Sequence, residues 1–131
     1  MRKFIAVTAS ALALGAAMVI APVSSASAAA YQCEYETSGS TNYMYSGYYG
    51  GLTVQPSSTG LSQAGIEAQC LLHRRAYNPG TIDGVFGSRS QAAALAFQKR
   101  MNAKFHVGLS EDGKVGPKTW PYLRNANYDT N

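Results

Sequence analysis

Apolar positions follow three different patterns along the chain. From Phe4 to Ile20 they form an almost unbroken run of Ala, Leu, Val and Ile without a charge. Over residues 31–60 neither a helical nor a strand period holds. From Ser62 onward helical spacing takes over. Ile66, Cys70 and Leu72, with Ala76, share one face of a helix expected over 62–76, with Ser62 as its N-cap and Tyr77-Asn78-Pro79-Gly80 as its stop. Ala94, Leu95, Phe97 and Met101 form the inner stripe of a second helix, and Gln98, Lys99 and Arg100 fall toward its wet face. Ser88-Arg89-Ser90-Gln91 reads as a capping box for that helix, whose interior runs over 91–101. Residues 102–111 read as a loop. A short third helix is expected from Pro117 to Arg124, distorted one turn in by Pro121, and residues 125–131 read as a frayed polar tail.

One local pattern occurs twice. Asp83-Gly84-Val85-Phe86-Gly87 and Asp112-Gly113-Lys114-Val115-Gly116 both read D-G-x-x-G, 29 residues apart, each just before a helix start. Asp accepts backbone N–H bonds in turns, and Gly turns the chain without a Cβ clash. Two such loops, each feeding a helix, predict a repeated structural unit.

The N-terminal run is the hydrophobic segment of a secretory signal peptide. Arg2 and Lys3 precede it, and Ala26-Ser27-Ala28 and Ala28-Ala29-Ala30 offer cleavage after Ala28 or Ala30. A retained membrane helix is the alternative, and the run falls short of a comfortable span. Of the eleven Lys+Arg, two lie in this leader, so the chain beyond it carries a charge near +2 rather than +4. That balance, with no basic stripe, argues against nucleic acid. About a hundred residues make one small domain with a marginal core. The two cysteines, Cys33 and Cys70, are expected to pair in an oxidising compartment.

Candidate chemistry is sparse. Asp83 and Asp112 could be read as the carboxylate pair of a glycosidase, but repeated turn positions favour caps for the turns and for the helices that follow. Cys70 and His73 could join Cys33 and His106 around zinc, and a disulfide is the simpler use of two secreted cysteines. Neither G-x-S-x-G nor H-E-x-x-H occurs. Phe97 and Trp120 lie on helical stripes and read as core. Tyr31, Tyr35, Tyr43, Tyr45, Tyr48 and Tyr49 make residues 31–60 a Tyr/Gly/Ser-rich arm, suited to a sugar, a protein partner or the flank of the helices.

Taken together, residues 62–124 resemble the small peptidoglycan-binding domain found beside bacterial cell-wall hydrolases. The resemblance is carried by Gln69 and Leu72, the run Tyr77-Asn78-Pro79-Gly80-Thr81-Ile82-Asp83-Gly84-Val85-Phe86-Gly87, Phe97-Gln98, Gly108-Leu109-Ser110-Glu111-Asp112-Gly113, and Val115-Gly116-Pro117-Lys118-Thr119-Trp120. Ala68 stands where the family usually has Leu, Ser90 replaces a usual Thr, and the link from Gln98 to Gly108 is longer than usual. The resemblance implies a three-helix, non-catalytic fold that binds cell-wall peptidoglycan, either its glycan strand or its stem peptide.

The expected organisation is a signal peptide over 1–30, an irregular arm over 31–60, an all-α three-helix domain over 61–125 and a tail over 126–131. The arm is tied to the helices by Cys33 and Cys70. The ligand surface is expected between the two loops, from Tyr77, Asp83, Gly84, Phe86, Arg89, Asp112, Gly113, Lys114 and Trp120, with Arg89 and Lys114 meeting carboxylates. No cofactor, metal or catalytic residue is expected, and no membrane contact once the leader is removed. The expected protein is secreted and wall-associated. Its rivals are a protein–protein module or inhibitor that uses the arm, and a small wall hydrolase.

Overall fold

In the computed structural model, residues 30–50 and 53–128 are described. The expected signal peptide lies outside the described residues except for its last position, Ala30.

Among the described residues three helices carry the fold: α1, Gln63–Arg74; α2, Ser88–Phe105; and α3, Thr119–Arg124. Ser62 caps α1 as expected, its Oγ accepting from the Gly65 N–H at 2.9 Å. The helix stops two residues early. Ala76 takes the left-handed conformation, with φ 67°, so this residue turns the chain outward and is exposed rather than part of the inner stripe.

The start of α2 differs from a capping box. Gly87 is the N-cap and makes no side-chain cap, while Gln91 Nε2 donates back to the Phe86 carbonyl at 3.0 Å. The helix also runs four residues past Met101. His106, with φ 54°, ends it, and Asn102 locks the loop beyond by donating to the Leu109 carbonyl and accepting from the Leu109 N–H. Because α3 begins at Thr119, Pro121 falls in its first turn, where no intrahelical donor is needed.

Leu71, Leu72, Phe97, Met101, Val115, Trp120 and Leu123 form the centre of the core, joined by Met44 from the arm. Burying this apolar surface is the main driving force for packing α1 against α2 and α3.

The arm is more ordered than its sequence pattern suggests. β1, Glu36–Thr37, pairs antiparallel with β2, Met44–Tyr45, in the register Glu36 to Tyr45 and Thr37 to Met44. The fold is therefore mostly helical with one two-stranded ribbon. Cys33 and Cys70 are bonded, with Cα atoms 5.5 Å apart, which removes both sulfurs from any metal set.

A buried carboxylate completes the attachment. Glu67 on α1 accepts from the backbone N–H groups of Ser46, Tyr48 and Tyr49 at 2.6, 2.9 and 3.2 Å. Arg124 lies 4.3 Å over the Trp120 ring and donates to the Tyr49 carbonyl. Burial pushes its guanidinium below the usual range, while Tyr45 and Glu67 act in the opposite direction.

The start of the tail is tied down as well. Arg75 donates to the carbonyls of Leu123, Tyr122, Asn125 and Tyr128, and the Tyr128 ring packs edge-on against Phe105 and Tyr122. Residues 126–128 are held in place rather than frayed. Among the described residues no helix is long and apolar enough to cross a membrane.

Candidate functional site

Each loop is organised by one buried glutamine on the preceding helix. Gln69 of α1 accepts from the Gly84 N–H at 2.8 Å. Its Nε2 faces Asp83 Oδ1, the Val85 carbonyl and Ser90 Oγ at 3.2, 3.0 and 2.9 Å. Gln98 of α2 accepts from the Gly113 N–H at 2.8 Å. Its Nε2 faces Asp112 Oδ1, the Lys114 carbonyl and Thr119 Oγ1 at 3.2, 2.9 and 3.1 Å. Every partner in the second set lies 29 residues after its counterpart in the first. An amide suits the position because it offers a donor and an acceptor at once.

Gln98 is therefore fully buried, not on the wet face of its helix. Sequence reasoning missed both glutamines as organisers of the loops. The signal that could have found them is the spacing, since Gln69 and Gln98 repeat at the same interval as the two D-G pairs.

The aspartates cap their own turns. Asp83 Oδ1 accepts from the Val85 N–H at 3.0 Å and Asp112 Oδ1 from the Lys114 N–H at 2.9 Å. Neither provides the N-cap of the helix that follows, which is Gly87 for α2 and Lys118 for α3.

Outside each loop lies an open cleft. The first, of about 270 Å³, includes Thr81, Asp83, Val85, Gly87, Arg89 and Ser90. The second, of about 320 Å³, includes Ser110, Asp112, Lys114, Gly116, Lys118 and Thr119. These residues correspond in order under the 29-residue shift, so the clefts are two versions of one site. Each combines a carboxylate, a hydroxyl and a cation, a set that can hold acetamido carbonyls and carboxylates through hydrogen bonds and ion pairs.

The expected ligand residues divide accordingly. Asp83 and Arg89 line the first cleft, and Asp112 and Lys114 line the second. Arg89 and Lys114 do not share a cleft, and the counterpart of Arg89 is Lys118. Gly84 and Gly113 are buried turn residues. Tyr77 packs edge-on against Phe97, with ring centres 5.9 Å apart, outside both clefts. Phe86 belongs to the core. Trp120, expected at the ligand surface, is fully buried, and its Nε1–H donates to the Val54 carbonyl at 2.9 Å. Helical packing leaves its ring no surface to offer.

Neither a curated protein nor a solved structure gives a significant match to the chain. A family model described as a peptidoglycan binding domain matches residues 62–123, from the cap of α1 to the penultimate residue of α3. By that match, residues 62–123, which hold both glutamines, both loops and every cleft residue named above, form a domain of the peptidoglycan-binding family.

Proposed function

We infer that this is a secreted, non-catalytic protein that binds bacterial cell-wall peptidoglycan through its two loop clefts. The observation that carries the reading is the coincidence of the family match with two equivalent polar clefts, the first holding Arg89 and the second Lys114 and Lys118. Peptidoglycan supplies the complementary groups: carboxylates on its stems and acetamido carbonyls on its sugars. Arg89 and Lys118 meet carboxylates, and the first turn of α2 adds N–H groups beside Arg89. Export by the leader, with cleavage after Ala28 or Ala30, is supported by the Cys33–Cys70 disulfide, a feature of oxidising compartments. With two clefts, modest affinity at each suffices for retention on a polymeric wall.

Three of the arm's tyrosines make internal attachments. Tyr35 donates to the Cys70 carbonyl, Tyr48 donates to the Gln32 carbonyl, and Tyr49 packs on Trp120.

The test is sedimentation of the mature protein with insoluble sacculi, beside chitin and cellulose. Pelleting with sacculi alone, without release of soluble fragments, is expected. Failure to pellet overturns wall binding, and release of muropeptides overturns the non-catalytic reading.

A further inference from the structure

The two clefts differ in one respect that the family match does not cover. The second has an additional wall, Gln55, contributed by the arm from outside the matched segment. Gln55 and Lys114 also line an adjoining cavity of about 150 Å³, which continues past Ser58 to Phe86 of the first loop. The two cavities thus share Gln55 and Lys114, and their linings extend from Lys118 to Phe86. The larger, about 320 Å³, is already in the size range of small-ligand sites, about 300–1,000 Å³.

This wall is fixed on both sides of Gln55. One residue before it, the Val54 carbonyl accepts from Trp120 Nε1–H at 2.9 Å, and the Val54 N–H donates to the Tyr49 hydroxyl at 3.1 Å. Two residues after it, the Ser57 carbonyl accepts from the Phe86 N–H at 2.9 Å. Pro56, between the anchors, is buried, while Gln55 itself is exposed. With the backbone fixed on both sides, only the side chain of Gln55 has to be ordered when a ligand arrives.

We propose that residues 55–58 are part of the binding site and that Gln55 is a specificity-determining residue for the sugar portion of the ligand. The proposal depends on the peptidoglycan reading above. A primary amide donates and accepts, matching the acetamido group of an N-acetylated sugar, while Lys114 beside it matches a carboxylate. The site thus takes an N-acetylated sugar together with its stem peptide, with the acetamido group at Gln55 and a stem carboxylate toward Lys114.

The experiment is calorimetric titration of the mature, disulfide-bonded protein with two soluble probes. One is a disaccharide-peptide fragment of peptidoglycan, and the other is a chitin tetrasaccharide, which has acetamido groups but no carboxylate. Gln55→Ala is expected to weaken the disaccharide-peptide about fivefold, the loss of one hydrogen bond. Lys114→Ala is expected to weaken it as well, and the chitin probe, which offers Lys114 no carboxylate, is expected not to bind measurably. Chitin binding as tight as that of the fragment would overturn the pairing of Lys114 with an acid. Unchanged melting of both variants confirms that the fold is intact. If the wild type binds the peptidoglycan fragment and Gln55→Ala binds it equally well, the arm's role is overturned while wall binding stands. A loss confined to Arg89→Ala likewise puts the ligand in the first cleft alone and overturns the proposal. If the wild type binds neither the fragment nor sacculi, the peptidoglycan reading falls and this proposal falls with it.

Discussion

The two loop units show how one hydrogen-bonding plan can be built from different local solutions. In the first unit the helix approaches its loop at a glycine. A Cβ on Gly65 would stand 2.1 Å from the Gly84 carbonyl oxygen. The corresponding residue in the second unit is Ala94, buried in the core. There the close approach has moved to the loop, where a Cβ on Gly113 would lie 2.7 Å from the Gln91 carbonyl oxygen. Four glutamine bonds recur in both, and Gln98 adds one from the Asp112 N–H at 3.0 Å, so it is the amide and its partners, more than the backbone spacing, that define the unit. The arm then makes the units unequal. Its disulfide and its carboxylate clasp both attach to α1, whereas its Gln55 reaches the second cleft.

Replacing both cysteines by serine should sharpen that inequality most. The chain-entropy model gives about 4 kcal/mol for a loop closed over 37 residues. Urea unfolding should show this loss. Hydrogen exchange should place the new openings in the arm and α1 first, and uniform loss of protection would argue against an arm anchored mainly to the first unit.

Gly65→Ala should cost about 3 kcal/mol by forcing two backbones apart, whereas Ala94→Gly should cost about 1 kcal/mol through helix propensity. Equal penalties in denaturant melts would mean the two approaches are not alternative solutions. Gln69→Ala and Gln98→Ala should each destabilise by about 2 kcal/mol, because a buried loop N–H loses its acceptor. A large effect at one and none at the other would break the equivalence.

Binding effects are smaller. Arg89→Ala and Lys118→Ala should each weaken sacculus binding about fivefold, and more at low salt. The smallest effect concerns Tyr35, whose counterpart position is not on the arm. Burial lifts its phenol above the ordinary range, Arg74 opposes this and Glu67 adds to it. The folded state therefore holds the proton more tightly than the unfolded chain. The associated stability is complete below pH about 10 and is lost as the pH rises through the raised value. Tyr35→Phe should flatten that part of the alkaline stability curve, and an unchanged curve would place the loss elsewhere.

Much of the helical body was legible in the sequence because its signals are local. The cap at Ser62, the stripe through Phe97 and Met101, and the repeated D-G spacing each lie within a turn or two of what they specify. The pairing of Cys33 with Cys70 followed from composition and compartment. What escaped depends on distant partners. Gln98 reads as a surface polar residue until the loop 14 residues later closes over it. Glu67 and Arg75 are charged residues that only the folded arm and tail can satisfy. Two-residue strands are too short to show a period, and His106 ends α2 in a left-handed conformation that glycine more often supplies. The pairing of the clefts rests on Lys118 matching Arg89, two positions that lie beyond the last glycine of each D-G-x-x-G loop.

Helix α2 belongs to both units. Ser90 near its start completes the network of the first loop, and Gln98 organises the second. Eight residues of α-helix separate them, a rise of about 12 Å and a rotation of about 80° beyond two full turns. The helix is thus a ruler with two marks. Inserting or deleting one residue between the marks would turn one loop by about 100° against the other and pull one of the two networks apart.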